Sequence, residues 1–277
     1  FKQKTAYEIR LSLVGSEMCI RDRYGTKVRA ALKAESINLK YLTSRKGEAT
    51  GLGVITVAEG GENTIVVAPG ANALLSPGDV QEAAPAITGA AVLLLQLEVP
   101  METVITAARL ARDAQRVVIL NAAPGARLSA ELLRLVDVLI VNRSEAALVL
   151  DADPKGDPAN LAVRLPNLGV ATVIMTLGQH GAMLNHRGRP RRIASIPVAA
   201  VDSVGAGDAF CGAIAAAWGV VHAAQASRSS EEFHLVERAA FFACVAGALA
   251  TTKAGAIPSL PLGAEVLAQA ERFKVTA

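Results

Sequence analysis

Four short apolar runs, Ala91–Leu97, Val117–Leu120, Val138–Val141 and Thr172–Leu177, show no alternation of polar and apolar residues. A strand with one wet face alternates, whereas a strand covered on both faces reads as a continuous apolar run. Helical patterns fall between the runs: Glu102–Gln115, a segment near Ala130–Leu135, one from about Ser144, and one after the loop Asp153–Pro158. Buried strands alternating with helices predict an α/β fold, a parallel-sheet sandwich with helices on both faces. Ala206–Ala226, Glu231–Thr252 and Leu262–Arg272 read as three further helices. Upstream, Lys27–Glu35 places Val28 and Leu32 at helical spacing. Thr50–Val57 and Asn63–Ala68 are β-branched runs around Glu59-Gly60-Gly61-Glu62 and predict a hairpin.

Composition excludes several classes. Apolar residues make up 52% of the 277 and charged residues 19%, enough for a packed core and too apolar for a disordered chain. Lys and Arg total 28 against 25 Asp and Glu, a net charge of +3. That balance does not fit a dedicated nucleic-acid binder. The basic run Arg187–Arg192 is expected as a solvated loop on a hairpin turn. Cys19, Cys211 and Cys244 are odd in number and lack CxxC spacing, which points away from a disulfide scaffold or zinc site and toward a reducing, cytoplasmic setting. The longest uncharged stretch, Ala209–Ser227, is Ala/Gly-rich, contains Gln225, and is expected as a packed helix and not a membrane span.

Residues 1–23 have no sustained period. They resemble translated read-through of a sequencing adapter and are expected as a non-native leader, with one domain over 24–277.

In a parallel sheet, ligands collect at the carboxyl ends of the strands. The polar residues there are Gln96 and Glu98 after the first run, Asn121 after the second, Asn142 and Glu145 after the third, and Thr176–Gly181 after the fourth. The segment Ala200–Ala213 adds Gly205-Ala206-Gly207 followed by Asp208, opening a long helix. Unpartnered backbone N–H groups and the helix dipole make such an end an anion hole. A carboxylate beside a bound anion suits proton abstraction. Taken alone, Asp208 reads as an acid in a first helical turn, Asn142 as an N-cap and Glu145 as a first-turn acid, while Glu98 is equally a solvated loop acid and Asp202 has a turn cap as its alternative. Neither GxxxxGK[ST] nor GxGxxG occurs.

The run DSVGAGDAFCGA resembles the C-terminal signature of the ribokinase-like carbohydrate kinase family. Other segments are similar to that family in its order: Thr50–Asn72 to the lid and the stretch after it, Leu93–Pro100 to a sugar-contacting strand end, Asn121–Gly125 and Val141–Ala146 to NPAP and NExE, Thr176–Ala182 to TLGxxG, and Ala250–Pro261 to a cation-site segment. The likeness spans about Tyr24 to Phe273, and its QLE, NAAP and GAIPS runs favour the ribokinase branch.

The resemblance implies ATP-dependent phosphorylation of the ribose 5-hydroxyl with Mg²⁺ and K⁺. It makes Asp208 the base and Gly205, Ala206 and Gly207 the anion hole. Asn142 and Glu145 would arrange Mg²⁺ through water, and Thr176, Gly178, Gly181 and Gly207 would line the nucleotide. Glu98 would contact the sugar. Asp202, Val204, Ala250, Lys253, Gly255 and Ser259 would hold K⁺, mostly through backbone carbonyls. Cys244 stands where relatives place an Asn near adenine. The implied partners are a sugar and ATP, with a homodimer formed through the lid and no nucleic acid or membrane. A kinase for another sugar or nucleoside and a non-catalytic nucleotide-binding protein are the alternatives. The family's N-terminal sugar-binding Asp and its Gly-Gly-Lys-Gly-x-Asn segment have no counterpart here, so the lid and first strands are expected to be incomplete.

Overall fold

In the computed structural model, residues 23–57, 63–223 and 229–274 are described. The expected leader lies outside them except for Arg23, which begins helix α1 (Arg23–Ala34), four residues ahead of the expected start. Leu32, Ile37 and Leu42 form a small separate core under α1. The hairpin is present as β1 (Leu52–Val57) and β2 (Asn63–Ala68), antiparallel from Leu52↔Ala68 to Val57↔Asn63, and makes its own two-stranded sheet.

Where the hairpin meets the body, its two connections cross in contact. The Ala71 N–H donates to the Ala49 carbonyl at 2.9 Å. Gly70 sits at φ +51°, and a Cβ there would come within 2.4 Å of that same carbonyl oxygen. Only glycine fits both constraints.

Two short helices come next, α2 (Pro77–Glu82) and α3 (Ala84–Gly89). The Ser76 and Asp79 side chains close a capping box with Pro77 in the first turn.

The main sheet has six strands in sequence order: β3 (Val92–Leu95), β4 (Val117–Asn121), β5 (Val138–Asn142), β6 (Thr172–Thr176), β7 (Ala182–His186) and β8 (Arg189–Ile193). The first four are mutually parallel, as their apolar runs predict, and β7 and β8 extend the sheet antiparallel. Helices α4 (Met101–Asp113), α5 (Ala130–Leu135), α6 (Arg143–Val149) and α7 (Pro158–Arg164) connect the parallel strands. They cover the face carrying Leu93, Leu95, Val118, Leu120, Leu139, Val141, Val173 and Met175. Helices α8 (Ala206–Ala223), α9 (Ser229–Ala250) and α10 (Gly263–Lys274) cover the other face, which carries Val92, Leu94, Val117, Ile119, Val138, Ile140 and Ile174.

Helix α9 is long and apolar enough over Glu231–Ala250 to cross a membrane, yet 61% of that window is buried. It packs against α8, α10, β7 and β8, so its apolarity belongs to the core. The connection between α8 and α9 falls largely outside the described residues. The basic run is the turn into β8 and β8 itself, an edge strand. Arg189 stacks on Phe233 at 4.0 Å, Arg187 pairs with Glu232 at 2.9 Å and Arg191 with Glu237 at 2.8 Å. Charged side chains on an edge discourage pairing with another sheet.

Candidate active site

Alternation along each strand fixes which polar residues share a face. Gln96, Asn121, Asn142 and Thr176 continue the alternation of Leu94, Ile119, Ile140 and Ile174, so they line the carboxyl edge on the side of α8 and α9. Asn142 and Thr176 are direct register partners on β5 and β6. The Thr176 hydroxyl donates to the Val141 carbonyl at 3.4 Å. The loop after β3 is fastened twice: the Gln96 side-chain oxygen accepts from the Glu98 N–H, and the Leu97 N–H donates to the Ala123 carbonyl at 2.8 Å. Glu98 therefore sits on a constrained loop. Gln96 as its tether was not assigned from the sequence, where only its position after a strand was visible.

Asn142 is the N-cap of α6, and Glu145 is its third residue. The Asn142 side-chain oxygen accepts from the Glu145 N–H at 2.8 Å. In return, one Glu145 oxygen accepts from the Asn142 N–H at 2.7 Å and the other from its side-chain amide at 2.8 Å. Burial pushes the Glu145 carboxyl above the usual carboxylate range, opposed by the hydrogen bond from the Asn142 N–H. Gly125 of the loop after β4 lies so close to α6 that a Cβ would sit 2.6 Å from Leu148 Cδ1 and 3.1 Å from Glu145 Cα.

Hard oxygen donors suit Mg²⁺, which keeps most of its waters and needs few protein groups. Among the described residues, no group of three or more His, Cys, Asp and Glu is arranged to hold a metal ion. The Asn142–Glu145 pair offers oxygen donors of this kind, each carboxylate oxygen keeping a second lone pair beyond its capping bond.

Helix α8 begins beside the same edge. Gly219 lies against Val92 at the start of β3, where a Cβ would stand 3.9 Å from the Val92 side chain. Asp208 lies ~16 Å back along the helix axis from Gly219, and Gln96 ~13 Å up the strand from Val92. Helix α8 packs over β3 and β4, and the two lengths match if it runs antiparallel to β3. Gly205 has φ +83°, with the Ala256 carbonyl and Ser259 hydroxyl each 3.0 Å from where a Cβ would be. In contrast, nothing lies within 4 Å of a Cβ on Gly207, so the helix end is open there. The Ala209 N–H donates to the Gly205 carbonyl at 2.8 Å and the Ala206 N–H to the Ser203 carbonyl at 3.3 Å, and Gly207 lies between these two bonds. An anion fits this end.

The loop leading into α8 is laced to the one after α9. Asp202 Oδ2 accepts from the Gly255 N–H at 2.8 Å, and Oδ1 from the Val204 N–H at 3.0 Å. Those bonds, Gly255 first, hold the Asp202 carboxyl below its ordinary range. The Val201 and Asp202 N–H groups both donate to the Thr251 carbonyl, at 2.7 and 3.1 Å. Ser259 is buried, its hydroxyl donating to the Ala256 carbonyl at 2.8 Å and reaching the Val204 carbonyl at 3.5 Å. Asp202, Val204, Gly255 and Ser259 are thereby brought together. Ala250 ends α9 nearby, while the Lys253 ammonium turns outward to Glu265 at 3.9 Å. Carbonyl and hydroxyl oxygens with one carboxylate suit a monovalent cation.

Two other expected nucleotide residues have local structural work. Gly181 packs under β8, where a Cβ would fall 2.0 Å from the Ile193 carbonyl oxygen, and Gly178 begins the 3₁₀ turn after β6. Cys244 lies in the core with its thiol pushed up to about 12 by burial, which keeps it protonated and largely out of reach of a ligand.

The family model described as pfkB family carbohydrate kinase matches residues 21–262. The chain belongs to that family. Among pfkB relatives, it is 34% identical over 261 residues to the ribokinase of Haemophilus influenzae, covering 93% of this chain and 79% of that one. It is 34% identical over 239 residues to the Staphylococcus aureus ribokinase, covering 84% of this chain and 74% of that one. Among solved structures it is similar to Arabidopsis thaliana ribokinase complexed with ribose and ATP, with a TM-score of 0.76, 28% identity, and coverage of 97% of this chain and 86% of that one. Giardia lamblia ribokinase has a TM-score of 0.80 at 23% identity, covering 98% and 87%, and supports the fold. As a pfkB kinase, this protein is a phosphotransferase acting on sugars.

Proposed function

We propose that this pfkB kinase phosphorylates D-ribose at the 5-hydroxyl with ATP, and that Asp208 is the base. What supports this reading is Asp208 in the first turn of α8, a helix that packs over β3 and β4. Asp208 takes the hydroxyl proton as the sugar oxygen bonds to the γ-phosphorus. The bond to the β–γ bridging oxygen breaks, and ADP leaves. The amides of Gly205, Ala206 and Gly207 offset charge on the phosphoryl oxygens, and the remaining acceleration comes from holding donor and acceptor in line. Glu98, on its tethered loop, accepts from a sugar hydroxyl.

Thr176, Gly178 and Gly181 shape the nucleotide side, and Cys244, buried in α9, supplies no hydrogen bond to the adenine. Asn142 and Glu145 would hold Mg²⁺ through water, and that ion would neutralise the β- and γ-oxygens. Asp202, the Ser259 hydroxyl and the carbonyls of Val204, Ala250, Lys253 and Gly255 would hold K⁺, keeping the loop into α8 in place. Residues 24–277 act as the kinase domain, with β1–β2 as its lid and as the contact of a homodimer. Cys211 and Cys244, buried and in no disulfide among the described residues, fit a cytoplasmic enzyme.

The test is phosphoryl transfer by the purified full-length protein with ATP, Mg²⁺ and K⁺, offered D-ribose, 2-deoxyribose, fructose and adenosine in parallel. Ribose 5-phosphate should form with the highest kcat/KM. Preference for another acceptor, or transfer to none, overturns the reading.

A further inference from the structure

The polar side chains at the four parallel strand ends differ in what occupies them. Gln96 is engaged with the Glu98 N–H, Asn142 with Glu145, and Thr176 with the Val141 carbonyl. Asn121 is the exception. Its carbonyl accepts from the Ala123 N–H at 2.8 Å, and its side-chain amide has no hydrogen-bond partner among the described residues. It is half-buried at the end of β4, on the face toward α8. Its neighbours in the sheet are β3, whose loop carries Glu98, and β5, which carries Asn142. Helix α8 packs over β3 and β4, with Gly219 near its C-terminal end against Val92 at the start of β3, so the rest of the helix runs back toward the strand ends. A carboxamide without a hydrogen-bond partner among the described residues thus stands between the strand leading to the residue proposed for the sugar and the strand carrying the pair proposed for Mg²⁺, on the face that α8 covers.

We infer that Asn121 is a phosphoryl-binding residue: its side-chain N–H donates to an oxygen of the phosphoryl group in transit, from the sheet side, while the α8 amides donate from the helix side. This rests on the kinase reading above. A neutral donor fits better than a cation here. It leaves the Asp208 carboxylate without a competing positive charge and supplies its hydrogen bond only where charge is transferring. The loop after β4 is fixed by the Leu97–Ala123 bond and by the close approach of Gly125 to α6, so the amide is held in place before substrate arrives.

The experiment compares wild type with Asn121→Ala and Asn121→Asp in two assays. One is steady-state turnover with ATP and ribose. The other is binding of ADP with Mg²⁺ and ribose, with and without aluminium fluoride, which mimics the phosphoryl in transit. Asn121→Ala should lose about ten- to a hundredfold in kcat and a similar factor in affinity for the aluminium fluoride complex, with ADP affinity unchanged. Asn121→Asp should lose more in both, because its charge opposes the anion. Equal losses for ADP with and without fluoride, a rise in ribose KM at unchanged kcat, or variants within threefold of wild type would each overturn the assignment. If wild type transfers phosphoryl to no sugar, the kinase reading fails, and the fluoride-dependent difference in binding still decides Asn121. Wild type that binds the fluoride complex no better than ADP overturns both.

Discussion

The Asn142 and Glu145 side chains close on each other across the first turn of α6, with three hydrogen bonds between the two residues at 2.7–2.8 Å. The pair therefore caps a helix whatever else it does. Cap and metal roles separate by substitution. Glu145→Gln keeps an acceptor for the Asn142 N–H and removes a carboxylate whose ionisation burial disfavours. Its melting temperature should change little, the relief of burying a charge offsetting the loss of one of the two bonds from Asn142, while kcat falls at least about tenfold and the Mg²⁺ concentration for half-activity rises. Glu145→Ala should lose the same activity and also about 1 kcal/mol of stability. Full activity in Glu145→Gln would leave Glu145 as a cap alone.

Much of this architecture was readable from the residues. The four apolar runs became four parallel strands within one or two residues of their expected ends. The polar residues after them became the carboxyl edge because alternation is a local rule. Other features needed the three-dimensional structure. Helix α2, opened by Ser76-Pro77-Gly78-Asp79, is not among the expected elements, although proline and a capping acid suit a first helical turn. Arg189-Pro190-Arg191-Arg192 reads as loop, yet it is β8, an edge strand with no second buried face to declare itself in apolar residues. The pairing of Asn142 with Thr176 is a matter of register between distant segments, as is the lacing of Asp202 to Gly255. No spacing in the sequence encodes either. Gly181 shows the opposite difficulty: a motif suggested a nucleotide contact, and the structure supplies a packing reason for the same glycine.

At the base of the hairpin, Gly70→Ala combines an unfavourable positive φ with a 2.4 Å approach to the Ala49 carbonyl oxygen. The expected loss is about 2–4 kcal/mol, read from chemical denaturation. Gly53→Ala, where nothing lies within 4 Å of the added Cβ, should cost far less. Equal effects would mean the crossing is not where the strain falls.

His186 predicts a pH dependence at the opposite end of the sheet. Its ring is buried, with Nδ1 at 2.9 Å from the Thr172 hydroxyl of β6 and Nε2 at 3.7 Å from Glu232 of α9. Burial lowers its pKa from 6.5; the Glu232 carboxylate opposes that shift, and Arg187 and Arg189 reinforce it. The folded state keeps the imidazole neutral where the unfolded chain takes a proton. Its contribution is therefore full above about pH 6.5 and is lost as pH falls toward the folded value. Denaturation midpoints should drop more steeply between pH 7 and 5 for wild type than for His186→Gln. Parallel curves would contradict this.

Turnover of Asp208→Asn with ATP and ribose, measured beside ADP affinity by titration, bears most directly on the central claim. The substitution keeps the side chain's size and the helix end while removing the base. General-base catalysis supplies about two to four orders of magnitude, so kcat should fall at least about a hundredfold with ADP affinity unchanged or slightly tighter. Near-normal turnover would contradict the account and leave Asp208 as a first-turn acid.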